Sequence, residues 1–190
     1  MTQSIPLGQG AFALVDDADY DPLRRFEWWL SKNGYAVGFV PADGKFRLTY
    51  MHRLILNAAP GQLVDHINRN PLDNQRTNLR LATPRQNGQN KRISRLSHTH
   101  LKGVGWHKRR CRYHARIQFQ GIRYHLGFFD DAREAALAYD AAARTLFGEF
   151  ALCNYPDEET PRTLGLLVAQ RLKRRGFQLV CSIQESQTRA

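Results

Sequence analysis

Short apolar runs separated by turn signals fill residues 5 to 56, with Gly8, Gly10, Asn33-Gly34 and Asp43-Gly44 as the breaks. Asn-Gly and Asp-Gly supply the positive φ of tight hairpin turns, and Tyr35, Val37 and Phe39 alternate with Ala36, Gly38 and Val40. The region is therefore expected to form β-hairpins. Between the strands, Asp21-Pro22 to Leu30 predicts a short helix capped by Asp21, with Phe26, Trp29 and Leu30 on one buried face. A second helix start stands at Thr83-Pro84-Arg85-Gln86, with a capping Thr, Pro in the first turn and Gln three residues after the cap. That helix should run from Pro84 to about Arg92. Ile93 to Leu101 is rich in Ser, Thr and His without clear periodicity and is expected to be a linker at a module boundary.

Beyond the linker, Lys102 to Phe129 gives three β-like runs centred on Val104–Trp106, Tyr113–Phe119 and Arg123–Phe128, with Gly121 turning the second into the third. Asp131 caps a helix with Glu134 three residues later, and Ala135, Ala138, Tyr139, Ala142 and Leu146 follow at helical spacing until Gly148. In the tail, Thr160-Pro161 predicts a further cap, with Leu164, Leu167, Val168 and Leu172 on one face. Phe177, Leu179, Cys181 and Ile183 alternate as a strand would. Residues 157–190 receive no function.

Charge changes the picture. From Asn74 to Phe129 there is no acid, yet thirteen Lys or Arg and five His occur, while eight acids precede the gap and nine follow it. The net charge of +11 is thus concentrated in the middle of the chain, and an acid-free basic run interleaved with aromatics points to nucleic acid as partner. Three scattered cysteines, Cys111, Cys153 and Cys181, form no CxxC pair, so free thiols in a reducing compartment are expected. No secretory leader or apolar run near 18 residues occurs, which argues against export and membrane spanning and predicts a cytoplasmic protein.

Candidate chemistry lies where a short apolar strand ends in Asp65-His66. Asn78 follows twelve residues after His66, and Asn87 nine after that, inside the capped helix. Hydrolysing a phosphodiester requires a deprotonated water, neutralised charge on the transition state and a stabilised leaving oxygen. His66 is the candidate general base, since an imidazole is neutral yet basic at working pH. Asp65 and the Asn87 side-chain oxygen are candidate ligands for one Mg²⁺ or Mn²⁺, hard cations that prefer oxygen and retain waters. Asn78 would hold the loop and the orientation of His66.

These blocks, Met51-His-Arg-Leu-Ile55, Val64-Asp-His-Ile-Asn68, Leu72-Asp-Asn74, Asn78-Leu-Arg-Leu81 and Gln86-Asn87, resemble the HNH homing endonucleases. The resemblance implies a ββα-metal site in which His66, Asn78 and Asn87 form the motif and Asp65 and Asn87 hold the metal. Asn replaces His at the last position, which favours a single hard cation over zinc. Products would carry 5′-phosphate and 3′-hydroxyl ends, and one site would cut one strand. His52 matches a recurrent family position, where it either contacts phosphate or serves the structure.

Lys102-Gly-Val104 with Trp106, Ala115-Arg-Ile117, His125-Leu-Gly-Phe-Phe129, Ala138-Tyr-Asp-Ala-Ala142 and Asn154 resemble the AP2 DNA-binding domain of plant regulators. That likeness implies a three-stranded sheet, backed by one helix, in the major groove. Alternation puts Arg112, His114, Arg116 and Gln118 on one face of the middle strand, and Arg123 and His125 on the same face of the third. Lys108, Arg109 and Arg110 at the hairpin tip are expected to grip phosphate, and Lys102 and Trp106 are further candidate DNA contacts. Lys102, Gly105 and His125 depart from the plant pattern, so the plant target sequence does not transfer.

The chain is therefore expected to be α+β: a ββα-metal nuclease module over 1–92, a linker over 93–101, an AP2-like reader of double-stranded DNA over 102–156, and a helical tail. The expected activity is metal-dependent DNA cleavage, with a mobile-element origin in bacteria or phage by analogy. A non-catalytic AP2-type regulator and an RNA-binding protein are the rival readings.

Overall fold

A computed structural model describes residues 1–89 and 98–177. The chain is mixed α+β with small antiparallel sheets, and it divides into two compact units, Met1–Lys91 and Arg92–Ala190.

In the first unit β1 (Thr2–Pro6) pairs with β2 (Phe12–Asp16). Alternation buries Ile5, Ala13 and Val15. The helix expected from Asp21 starts earlier and ends sooner: α1 spans Asp17–Leu23 with Asp16 at its cap position and Pro22 inside. Residues Trp28–Leu30 are instead a strand, β3. Trp28 decides this. Its ring is buried, its Nε1 donates to Leu23 O at 2.8 Å, and it faces Gly38, where a Cβ would lie 2.9 Å from the indole. β3 pairs with β4 (Ala36–Ala42), which pairs with β5 (Lys45–Tyr50) through the Asp43-Gly44 turn, both turn residues at positive φ.

The hairpin pattern expected up to residue 56 stops at Tyr50, because Met51–Ile55 is a helix, α2. Met51 and Ile55, one turn apart, both enter the core. Arg53, on the same turn, donates to the carbonyls of Ala58, Ala59 and Gln62 and so fixes the approach to β6. β6 (Leu63–His66) pairs with β7 (Leu79–Ala82), and α3 (Pro84–Gln89) packs on both. The cap at its start is reciprocal: Gln86 N donates to Thr83 Oγ1 at 3.3 Å and Thr83 N to Gln86 Oε1 at 2.8 Å. The expected extension to Arg92 and most of the 93–101 linker lie outside the described residues.

In the second unit β8 (Val104–His107), β9 (Arg112–Phe119) and β10 (Ile122–Phe129) form a sheet in the order β10-β9-β8. Gln120-Gly121 closes the β9–β10 hairpin at positive φ. α4 (Ala132–Phe147) packs its Ala135, Ala138, Ala142 and Ala143 against the sheet, small side chains that allow close approach. Gly103 is required by the same closeness: at φ +75°, an added Cβ would sit 2.0 Å from Tyr139 and 2.7 Å from Arg116 O. Asp140, fully buried on α4, accepts from Asn154 N, Asn154 Nδ2 and Tyr155 N, while Asn154 Oδ1 accepts from Lys102 N at 2.6 Å. This clasp ties the entry to β8 to the chain beyond α4. α5 (Arg162–Lys173) adds Leu164, Val168 and Leu172 to the core. Pro161, not Thr160, holds the cap position of α5, since the Thr160 hydroxyl instead accepts from Arg144. The strand expected around Leu179 to Ile183 lies outside the described residues, as does Cys181. Cys111 and Cys153 are free thiols.

Candidate active site

β6 brings Asp65 and His66 to the end of a strand, where both are buried. Residues 67–78 then form a loop rich in Asn and Asp that turns on its own side chains. Asn68 Oδ1 accepts from Asn70 N, Asn70 Oδ1 accepts from Leu72 N, and Asn68 Nδ2 donates to Asp73. Asn78 closes the loop: its Oδ1 accepts from Asn68 N at 2.9 Å and its Nδ2 donates to Asp73 O at 2.7 Å. The loop is also fastened to the N-terminal elements. Leu14 N donates to Leu72 O and Asn74 N to Leu14 O, both at 2.8 Å, and Arg76 makes a two-pronged pair with Asp19 on α1.

Asn78 holds the loop as expected, while the side chain hydrogen-bonded to the His66 ring is that of Asn74. Asn74 is fully buried, with Oδ1 3.3 Å from His66 Nε2, whereas the Asn78 amide is consumed by the loop backbone. Asn74 stood within the Leu72-Asp-Asn74 block, but an Asn in a turn-rich run gives no sign by itself of facing inward. The His66 ring also packs on Tyr35, and edge-on against His52 at 5.1 Å between centroids. Burial holds the His66 pKa below the usual histidine value, opposed by the Asn74 hydrogen bond and the charges of Asp65 and Asp73. For His52, stacked on Tyr50, burial and then the neighbouring His66 and Arg53 push the pKa down to about 3. Both imidazoles are thus neutral near pH 7. The Nδ1 of His52 is buried with no hydrogen-bond partner among the described residues.

Asp65 faces Arg80 across the β6–β7 register, and Arg80 Nε and Nη2 both donate to Asp65 Oδ2, at 2.9 and 2.7 Å. Asn87 lies half-buried on α3, its backbone N donating to Thr83 O. A carboxylate and an amide oxygen make a donor set suited to a hard divalent cation that keeps most of its waters, and Asp65 would share its charge between that cation and Arg80.

In the second unit the outer face of the sheet carries His107 from β8, Arg112, His114, Arg116 and Gln118 from β9, and Arg123, His125 and Phe128 from β10. Arg116, Gln118 and Arg123 are exposed. Arg112 is tied to Asp130 at 2.7 Å, and the Arg110 guanidinium lies over the Phe128 ring. Lys108, Arg109 and Arg110 form a single exposed turn between β8 and β9. Trp106 points the other way: it opposes Tyr113 in register, 4.8 Å away between rings, and belongs to the helix-side face at the sheet edge. Lys102 meets Asn154 through its backbone. His107 and Phe128 extend the predicted set. Alternation alone reveals His107, opposite Arg112, but Phe128 joins it because of the register shift between His125 and Gly127. Burial, then nearby Arg116, lowers the pKa of His114, to about 4, and that of His125 as well.

Among the described residues no helix is long and apolar enough to cross a membrane. The family model for HNH endonucleases matches residues 49–89, from the end of β5 through α3. An uncharacterised HNH endonuclease of Acanthamoeba polyphaga mimivirus is 36% identical over 153 residues, covering 79% of this chain and 78% of the relative. Protein 3.8 of Escherichia phage T7 is 33% identical over 91 residues, 48% of this chain and 74% of that protein. A 38-residue stretch is 58% identical to dehydration-responsive element-binding protein 2D of Arabidopsis thaliana, covering 20% of this chain and 18% of the plant protein. No solved structure matches.

Proposed function

The chain belongs to the HNH endonuclease family, and we propose that it cleaves DNA at a ββα-metal site formed by β6, β7 and α3, directed by an AP2-like second unit. The observation that carries the catalytic half is a buried His66 oriented by Asn74 beside Asp65 at one strand end. Asn74 Oδ1 only accepts, so His66 Nε2 bears the hydrogen and Nδ1 the basic lone pair. Nδ1 takes a proton from water, and the resulting hydroxide attacks phosphorus in line with the 3′ oxygen, which departs and takes a proton from solvent, leaving a 5′-phosphate and a 3′-hydroxyl. A divalent cation, Mg²⁺ or Mn²⁺, held by Asp65 and Asn87 would supply the positive charge that stabilises the phosphorane and the leaving oxygen. Asn78 keeps the loop closed beneath these groups. His52 neighbours the base as a neutral ring and is suited to meet a phosphate oxygen.

The outer face of β8–β10 is the proposed reader of duplex DNA, with Arg116, Gln118 and Arg123 as base or phosphate contacts and Lys108, Arg109 and Arg110 on the backbone. Its support is the exposed basic surface of strands that themselves contain no acid, and the short identity with a plant element-binding protein. Residues 1–92, 102–156 and 157–190 are then nuclease, reader and tail.

The test is relaxation of supercoiled plasmid with Mg²⁺ or EDTA, comparing the full chain with His66→Ala at matched DNA occupancy. Metal-dependent nicking by the wild type alone supports the assignment. Equal nicking by both proteins removes His66 from the mechanism.

A further inference from the structure

Arg80 and Asp65 form a buried ion pair. Their side chains are 11% and 6% exposed, and the Nε and Nη2 of the guanidinium converge on one carboxylate oxygen. At that burial the pair is poorly screened by water or salt, and an arginine cannot discharge itself to make way for another cation. A divalent ion approaching the same carboxylate therefore meets a fixed positive charge within hydrogen-bond distance of its ligand. Phosphodiester alters that balance. It brings negative charge and acceptor oxygens to which a planar five-donor guanidinium is well matched.

We propose that Arg80 couples cation loading to DNA binding: without DNA it neutralises Asp65 and opposes the divalent ion, and with DNA it shifts charge to phosphate and yields the carboxylate. The proposal rests on Asp65 being a metal ligand. It makes Arg80 a positioning residue whose effect is read in metal affinity as well as in cleavage.

The experiment is Mn²⁺ titration of the full chain followed by electron paramagnetic resonance of the free ion. Without DNA, Arg80→Gln should bind Mn²⁺ about tenfold more tightly than wild type, within the usual range of coupling between sites, and Asp65→Asn added to it should abolish the gain. In a His66→Ala background that preserves the duplex, DNA should tighten Mn²⁺ about tenfold with Arg80 present and much less with Arg80→Gln. Unchanged or weaker Mn²⁺ binding by a normally melting Arg80→Gln overturns the proposal. Should Arg80→Gln melt early, the His66→Ala titration alone decides, and Mn²⁺ affinity indifferent to DNA overturns the coupling. If Asp65→Asn leaves Mn²⁺ affinity unaltered in every background, the metal-ligand assignment has failed rather than the role of Arg80.

Discussion

Asn74 and His66, eight positions apart in the chain, meet with Oδ1 3.3 Å from Nε2, so a fully buried amide orients the ring of the candidate base. The contact forms because Asn74 is held at its backbone by Leu14 and cannot swing away. Replacing Asn74 by Ala should lower the single-turnover cleavage rate by about 10–100-fold, the usual cost of an orienting partner, with DNA affinity unchanged. Asn74→Asp should move the acid limb of the rate profile upward, since a carboxylate favours the imidazolium. A rate loss accompanied by equal loss of DNA binding would contradict an orienting role.

Burial depresses the His66 pKa, and a general base is active only when neutral. Cleavage should therefore persist below pH 6.5 and fail only at a lower midpoint, as measured by single-turnover nicking across pH 5 to 8 at fixed ionic strength. An acid limb centred above 6.5 would be incompatible with the buried environment.

His52, with a folded pKa of about 3 against 6.5, predicts acid sensitivity of the first unit. Between those values the unfolded chain takes up a proton that the folded state refuses, so stability is full above pH 6.5 and falls as pH drops toward 3. The loss is on the order of 3–5 kcal/mol. Hydrogen exchange of peptides from residues 1–89 should accelerate from pH 7 to 4, after correction for intrinsic rates, and less so in His52→Gln.

Asp140→Ala removes a buried carboxylate that accepts three hydrogen bonds from Asn154 and Tyr155. The second unit should lose about 3 kcal/mol or more, seen as faster exchange in α4 and β8 peptides. Peptides of the first unit should be unaffected.

Arg116→Ala and Arg123→Ala should each weaken duplex binding. If the lost contact is to phosphate, the slope of log affinity against log salt falls by about 0.9 per residue. If it is to a base, the slope stays and sequence preference relaxes. Wild-type binding that ignores salt would argue against the whole face.

Much of this was readable because it is local. Thr83 with Gln86 and Asp131 at the start of α4 cap within three residues of chain, and the Asp43-Gly44 and Gln120-Gly121 turns need only their own φ preferences. Trp28 escaped because its fate depends on the empty space at Gly38, a cross-strand matter. Arg80 as the counter-ion of Asp65 needed the hairpin register. Arg76 looked like one more basic residue in an acid-free run until the fold set it against Asp19, 57 positions away.

That the loop after His66 is moored to the amino-terminal hairpin bears on engineering. The segment recognised by the family model begins at residue 49, yet transplanting it alone would strip Leu72 O and Asn74 N of the backbone partners that Leu14 provides. The smallest portable cutting cassette must therefore start near Thr2, and a chimaera built on the shorter fragment would carry every motif residue while lacking the brace that keeps them in register.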